Sequence, residues 1–236
     1  MGKNKLARWA EMVTFNNVIQ PETEGLFGKD HPVKGKWKPE IFRNTNPVIL
    51  ELGCGKGEYT MGLSSRFPHN NYIGIDIKGA RMWRGAKTAF ENRIPNVAFL
   101  RTRIEYINSY FAENEVDEIW ITFPDPHSGK RNSNKRLTCP WFLNIYRSFL
   151  KDKGIIHLKT DNSELYNYTR NLAEKNNLPV IFATTDLHAD KKGDEILSIK
   201  THYENLFLSE GMKINYLSFM LEKNRIIEDD TAKIKK

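Results

Sequence analysis

From Pro47 onward, short apolar runs rich in branched residues alternate with stretches whose apolar positions recur at helical spacing. Residues 47–52 (PVILEL) predict a buried strand ending in a glycine turn, and a helix over about 58–66 follows. NYIGID (71–76) predicts a second strand before a helix over 78–92, and VAFLR (97–101) a third. VDEIWITF (116–123) predicts a fourth, stopped by Pro124 and Pro126. Thr138 is placed to cap a helix running to about Leu150, with Pro140 tolerated in its first turn. GIIHLKT (154–160) predicts a fifth strand and 162–176 a helix; strands at 178–184 and 213–221 enclose a short helix at 203–210. Strands separated by helices predict a parallel sheet with crossover helices, here seven-stranded with its last two strands forming an antiparallel edge.

Residues 1–46 stand outside this alternation, broken by Pro21, Gly25, Gly28, Pro32, Gly35 and Pro39. They read as a basic N-terminal arm with a helix at Lys5–Val13. Its aromatics, Trp9, Phe15, Phe27, Trp37 and Phe42, are interleaved with cations, which suits either packing across the core or base stacking on RNA. The core domain spans 47–222, and 223–236, with five basic and three acidic residues, reads as a flexible charged tail.

Composition narrows the class. With 236 residues, 39% hydrophobic, the chain can bury a core without disulfides or a structural metal. Its apolar runs are too short to cross a membrane, and the opening MGKNKLARWAEM lacks the apolar stretch of a secretory signal. Cys54 and Cys139 lie far apart, and the six histidines show no metal-ligand spacing, so no metal is expected and a cytoplasmic location is. Thirty-six Lys and Arg against 29 Asp and Glu leave a net charge of +7. The excess is clustered: residues 1–38 hold seven basic residues against four acidic, and 127–136 hold Lys130, Arg131, Lys135 and Arg136 with no acid. Two such clusters flanking a core domain point to a nucleic acid partner.

In open α/β sheets, ligands sit beyond the carboxyl ends of the strands, where strand order reverses. The first strand of the core ends in Glu51-Leu52-Gly53-Cys54-Gly55-Lys56-Gly57, and the second in Asp76, placed to accept from ribose hydroxyls. Glu58 stands where a dinucleotide fingerprint would carry its third glycine, and no Gly-Lys-Ser/Thr follows for a phosphate loop. A carboxylate at Glu51 repels phosphates and welcomes a cationic head group. S-adenosylmethionine carries an ammonium and a sulfonium and no phosphate, so its charges match.

The fourth strand runs into Phe123-Pro124-Asp125-Pro126-His127-Ser128-Gly129-Lys130-Arg131, with Lys135-Arg136-Leu137 beyond. Together with Glu51–Gly57, Gly74-Ile75-Asp76, Lys159-Thr160-Asp161, Thr201-His202-Tyr203-Glu204 and Lys34-Gly35-Lys36-Trp37, this closely resembles the bacterial tRNA (guanine-N7-)-methyltransferases of the TrmB type, over roughly 34–221. The resemblance implies a Rossmann-like, class I S-adenosylmethionine-dependent methyltransferase fold. It also implies methyl transfer to N7 of a tRNA guanine, guanosine 46 of the variable loop, by a monomer or homodimer. It assigns the cofactor to Glu51, Gly53, Gly55, Asp76, Arg103, Ile104 and Asp125, with Asp125 as catalytic residue. The target nucleotide falls to Lys130, Asp161, Thr201, His202, Tyr203 and Glu204, and the tRNA backbone to Arg131, Lys135 and Arg136. Two positions depart from the family: Arg103 stands where relatives usually carry an adenine-contacting aspartate, with Glu105 near enough to replace it. Gly129 stands where they carry a lysine, with Lys130 adjacent.

Guanine N7 has a free lone pair and no proton, so its methylation needs no general base and rests on positioning. A carboxylate accepting from N1–H and the 2-amino group would present N7 and reject adenine; Asp125 or Asp161 can read that edge, while Asp125 also faces the growing ring charge. Exocyclic amino-methyltransferases instead follow the loop acid or amide with two prolines and an aromatic, which Asp125-Pro126-His127 lacks. An inactive RNA-binding scaffold would have little use for Glu51, Asp76, Asp125 and Asp161 together.

Overall fold

A computed structural model describes residues 3–21, 29–190 and 195–229. Eight strands form one sheet: β1 (Val18–Ile19), β2 (Val48–Leu52), β3 (Asn71–Asp76), β4 (Val97–Arg101), β5 (Val116–Thr122), β6 (Leu150–Thr160), β7 (Val180–Thr184) and β8 (Asn215–Leu221), in the order β1-β4-β3-β2-β5-β6-β8-β7. All neighbours are parallel except β8, which runs antiparallel between β6 and β7. Among the described residues the α-helices are α1 (Lys3–Met12), α2 (Glu58–Arg66), α3 (Gly79–Glu91), α4 (Pro140–Tyr146), α5 (Ser163–Lys175) and α6 (His202–Ser209).

β2 is buried at every position because it lies mid-sheet with both faces covered, which is why its sequence is nearly continuously apolar rather than alternating. The chain leaves β2 toward β3 and β4, then returns to the other side of β2 as β5 and β6. The carboxyl ends of β2 and β5 therefore flank the point where strand order reverses, and that crevice holds a cavity of about 740 Å³.

The sheet has eight strands where seven were expected. The extra strand comes from the arm: Val18 and Ile19 pair in parallel with Phe99 and Leu100. Two apolar residues are too few to show a period. The arm's aromatics resolve toward packing: Phe15, Trp37 and Phe42 are buried, while Phe27 lies outside the described residues. Met12 and Phe15 seat α1 against Met82, Ala86 and Phe99. Trp37 stacks on Phe111 and donates its indole N–H to the Tyr110 carbonyl at 2.8 Å. The Glu115 carboxylate accepts the backbone N–H groups of Gly35, Trp37 and Ala112. Lys34-Gly35-Lys36-Trp37 is thus an anchor that ties the arm to the core.

Four local expectations shift. Cys139 rather than Thr138 precedes α4, and the Thr138 hydroxyl is shared instead with Thr169 Oγ1 at 2.7 Å. Helix α4 stops at Tyr146 because β6 already begins at Leu150. The tail, expected loose, is tied through Asp229: Ile227 is buried and exchanges hydrogen bonds with the Asn144 side chain, and Arg225 donates to the carbonyls of Asn176 and Asn177. Asn162, expected as the first helical residue, instead caps α5, its Oδ1 accepting from Leu165 N–H at 2.8 Å.

Gly57 closes the turn after β2 at φ +74°, and a Cβ there would lie 2.7 Å from the Phe99 ring. Gly57→Ala should therefore cost about 2–4 kcal/mol, from left-handed strain plus overpacking, read as a lowered urea midpoint with an unchanged slope.

Candidate functional site

The cavity, about 740 Å³, opens at the carboxyl ends of the parallel strands. One half is the turn from β2 into α2. Gly53, Gly55 and Gly57 all have positive φ, and a Cβ on Gly53 or Gly55 would meet nothing within 4 Å. Those two glycines leave room for a ligand, whereas Gly57 serves packing. The Asp76 carboxylate holds the turn, accepting Gly55 N–H at 2.9 Å and Lys78 N–H at 2.7 Å. Each of its oxygens keeps a lone pair for a further donor.

Glu51 is only 3% exposed. Thr60 donates to it through its backbone N–H (2.8 Å) and its hydroxyl, and the Thr122 hydroxyl donates from β5 (2.7 Å). Among the described residues no cation lies within 4.0 Å of it. Burial raises its pKa to about 7 against the three donated hydrogen bonds, with the Asp76 charge adding to the rise. A buried carboxyl that lines a cavity and lacks a counter-ion fits a ligand that brings positive charge. Cys54, between the glycines, is buried and its thiol pushed well up, so it offers no thiolate.

The opposite half begins after β5. Phe123 and His127, on either side of Pro124-Asp125-Pro126, hold left-handed backbone at φ +47° and +45°. Side chains disfavour that region, and such strain persists only where the surroundings impose it. Here Phe123 N–H is held by the Lys159 carbonyl (2.8 Å) and the Pro126 carbonyl by Arg136 Nε (3.2 Å). The loop presents Asp125 with its side chain 78% exposed. Asp161, just past β6, lines the same cavity, and partial burial raises its pKa. Arg103 and Ile104 line the far end beyond β4, where the Arg103 guanidinium lies 3.7 Å from Glu105.

The Thr201–Glu204 run divides. Thr201, His202 and Tyr203 line the cavity, and Thr201 caps α6 by accepting from Glu204 N–H. Glu204 does not line it. One residue further round the helix, its side chain turns to the sheet, fully buried, and meets Lys159 Nζ at 2.8 Å and His188 Nε2 at 3.0 Å. Lys159 also donates to the Leu197 and Ile199 carbonyls. The pair fastens the segment leading into α6.

The basic loop divides too. Lys135 lines the cavity and Arg131 is exposed outside it, while the Lys130 side chain lies outside the described residues. Arg136, expected on the tRNA backbone, is corrected to a structural role: it is 3% exposed, paired with Glu164, and set over the Tyr168 ring. An arginine in a run with three other cations looks like surface, and only the fold reveals its acidic partner. Sequence reading also missed Thr60 and Thr122, and the Glu58 carboxylate, which accepts His202 N–H at 2.6 Å and so joins the glycine-turn helix to α6. Lys159 carried a usable signal, since a lysine inside an apolar strand demands a buried partner.

Residues 45–217 match the family model described as a putative methyltransferase. A tRNA (guanine-N(7)-)-methyltransferase of Bacteroides fragilis is 47% identical over 99% of this chain and 92% of its own length. Another of that name, from Porphyromonas gingivalis, is 52% identical over 86% and 81%. The chain belongs to the tRNA (guanine-N(7)-)-methyltransferase family. Among solved structures, an antibiotic-related methyltransferase superposes with a TM-score of 0.59 at 18% identity, covering 82% of this chain and 96% of that one. The 16S rRNA methyltransferase KamB gives 0.59 at 12% identity, covering 86% and 95%. These agree with the Rossmann-like methyltransferase fold of this family member. No helix among the described residues is long and apolar enough to cross a membrane.

In the ligand-free protein, the fold keeps a proton on Glu51 up to about pH 7, whereas the unfolded chain releases it near 4.5. Stability should accordingly fall as pH rises from 4.5 to 7, by about 3 kcal/mol, and Glu51→Gln should remove that fall; thermal melts of both proteins across this window measure it.

Proposed function

We propose that this protein transfers a methyl group from S-adenosylmethionine to N7 of a guanine in tRNA, and that the target is guanosine 46 of the variable loop. The observation that carries the reading is one cavity bringing together a buried, cation-free carboxyl at Glu51, the open glycine turn, Asp76, and the two acids Asp125 and Asp161. Family membership supports it.

S-adenosylmethionine, when bound, supplies an electrophilic methyl on a sulfonium, open to in-line attack by a lone pair. Asp76 accepts from the ribose hydroxyls with the lone pairs that the glycine turn leaves free. Glu51 gives the cationic amino acid end a carboxylate, and the gain offsets the desolvation that otherwise keeps it protonated. Gly53 and Gly55 admit the ligand close to the backbone. Arg103 and Ile104 bound the adenine end, where the Glu105 side chain, tied to Arg103, is at hand for the exocyclic amine.

On the RNA side, Asp161 accepts from guanine N1–H and the 2-amino group. Those donors favour its ionised form, which burial alone disfavours. That edge is absent from adenine, so the wrong base leaves a half-buried acid unpaired. Asp125 stands over the opposite part of the cavity and stabilises positive charge as it grows on the ring. Thr201, His202 and Tyr203 supply the wall against which the nucleotide rests, and Lys135 and Arg131 meet its phosphates. No residue here needs to take a proton, because N7 has none; the protein contributes alignment and charge.

Purified protein incubated with unmodified tRNA and the methyl donor should yield 7-methylguanosine on nucleoside analysis, and borohydride–aniline cleavage should map it to position 46. Asp125→Ala should lower turnover by about 10²–10³ while donor affinity stays within about twofold. Normal turnover by that variant would remove Asp125 from the reaction. Donor affinity should weaken as pH falls below about 7, because binding then has to expel the Glu51 proton; calorimetry against pH reads this directly.

A further inference from the structure

Beside the main cavity lies a second, of about 500 Å³, where α1 crosses the end of β3 and the start of α3. It is lined by Lys5, Trp9, Lys78, Arg81 and Arg101 with Ile77 and Ala80, and no carboxylate lines it. Arg101 lies over the Trp9 ring at 4.1 Å and Lys5 over the same ring at 4.6 Å. Arg101 is the register partner of Asp76 in the β3–β4 ladder, yet its guanidinium turns from that acid to donate weakly to the Ile77 carbonyl and the Gln20 side chain. No acid among the described residues comes within 4.0 Å of Arg101, Lys5, Lys78 or Arg81. The Trp9 indole nitrogen is buried and finds no acceptor among the described residues. Helix α3 begins at the cavity with no acid in its first turn, so its positive end adds to the field.

Apart from Ile77 and Ala80, every residue lining this space carries a cation or an N–H donor in its side chain. Gathering four cations on one wall without an anion costs electrostatic energy, and a buried N–H without an acceptor costs more. A phosphate entering the cavity offsets the charge cost. Ile77, Lys78 and Arg81 line both cavities, so the two adjoin. S-adenosylmethionine has no phosphate to place there; an RNA strand whose guanine occupies the main cavity does.

We propose that the Lys5–Trp9–Arg101 groove binds a backbone phosphate of the substrate tRNA and steers the strand toward the methylation cavity. The proposal rests on the tRNA reading above. It gives the arm a task besides packing: α1 supplies Lys5 and Trp9, and β4 supplies Arg101.

The test uses the full chain, Lys5→Glu and Arg101→Gln, and a fluorescently labelled unmodified tRNA transcript, titrated at several KCl concentrations. Each variant should weaken tRNA binding about 5-fold and lower the slope of log K against log[KCl] by about 0.7–0.9, the loss of one phosphate contact. Donor affinity, and the transfer rate at saturating tRNA, should stay as in the parent protein. Arg101 is partly buried, so if Arg101→Gln fails to fold the exposed Lys5→Glu decides alone. An unchanged tRNA affinity and slope in Lys5→Glu overturns the proposal, as does a loss of donor affinity with tRNA binding intact, which would make the groove part of the donor site. The binding slopes are read without turnover. A parent protein that binds tRNA but forms no 7-methylguanosine therefore sinks the proposed reaction and leaves the groove to be judged on its own result.

Discussion

A carboxyl group removed from water at the end of a central strand is tolerable in only two ways: it keeps its proton, or it gains a positive partner. Glu51 is in that position, and much of the surrounding architecture follows from it. Thr60 and Thr122 supply hydrogen bonds enough to orient it but no charge. The glycine turn clears space beside it, and Asp76, itself anionic, worsens its situation. The free protein is therefore poised: the ligand that suits the site is one whose charge relieves this group, and a phosphate-bearing nucleotide would aggravate it.

The second requirement is that two walls built far apart in sequence face each other across that carboxyl. The buried Lys159–Glu204 pair holds the segment before α6 on the sheet, and Glu58 reaches from α2 to the first N–H of α6. The first contact lies behind the cavity wall, and the second lies in it, since Glu58 and His202 both line the cavity. Breaking a buried pair by deleting one member typically costs about 3–5 kcal/mol, so the wall carrying Thr201 and Tyr203 is firmly set. Strain at Phe123 and His127 fixes the Asp125 loop from the other side.

The parts legible in the sequence were those governed by local rules. Buried parallel strands announce themselves as apolar runs, and glycines before a helix announce a turn. The acids at strand ends could be placed in one crevice because strand ends in this topology converge. What stayed hidden depends on partners distant along the chain. Glu204 and Arg136 look like ligands for solvent or RNA until Lys159 and Glu164 come into view, 45 and 28 residues away. β1 was invisible because two residues carry no period, and the fate of Phe15 and Trp37 turned on contacts with α3, β4 and Phe111 that no spacing encodes.

One topological detail bears on how the chain assembles. Among the described strands β8 alone runs antiparallel and comes last in sequence, yet it sits between β6 and β7. Until Leu221 has emerged from a ribosome, β6 presents an open edge along its length, and β7 has no neighbour at all. Lys159 likewise waits for Glu204 to cancel its charge. The half of the sheet carrying β2, β3 and β4 can close early, while the wall carrying Thr201 and Tyr203 is completed only once β8 is in place. Assembly in that order separates the two ligand-binding walls in time as well as in space.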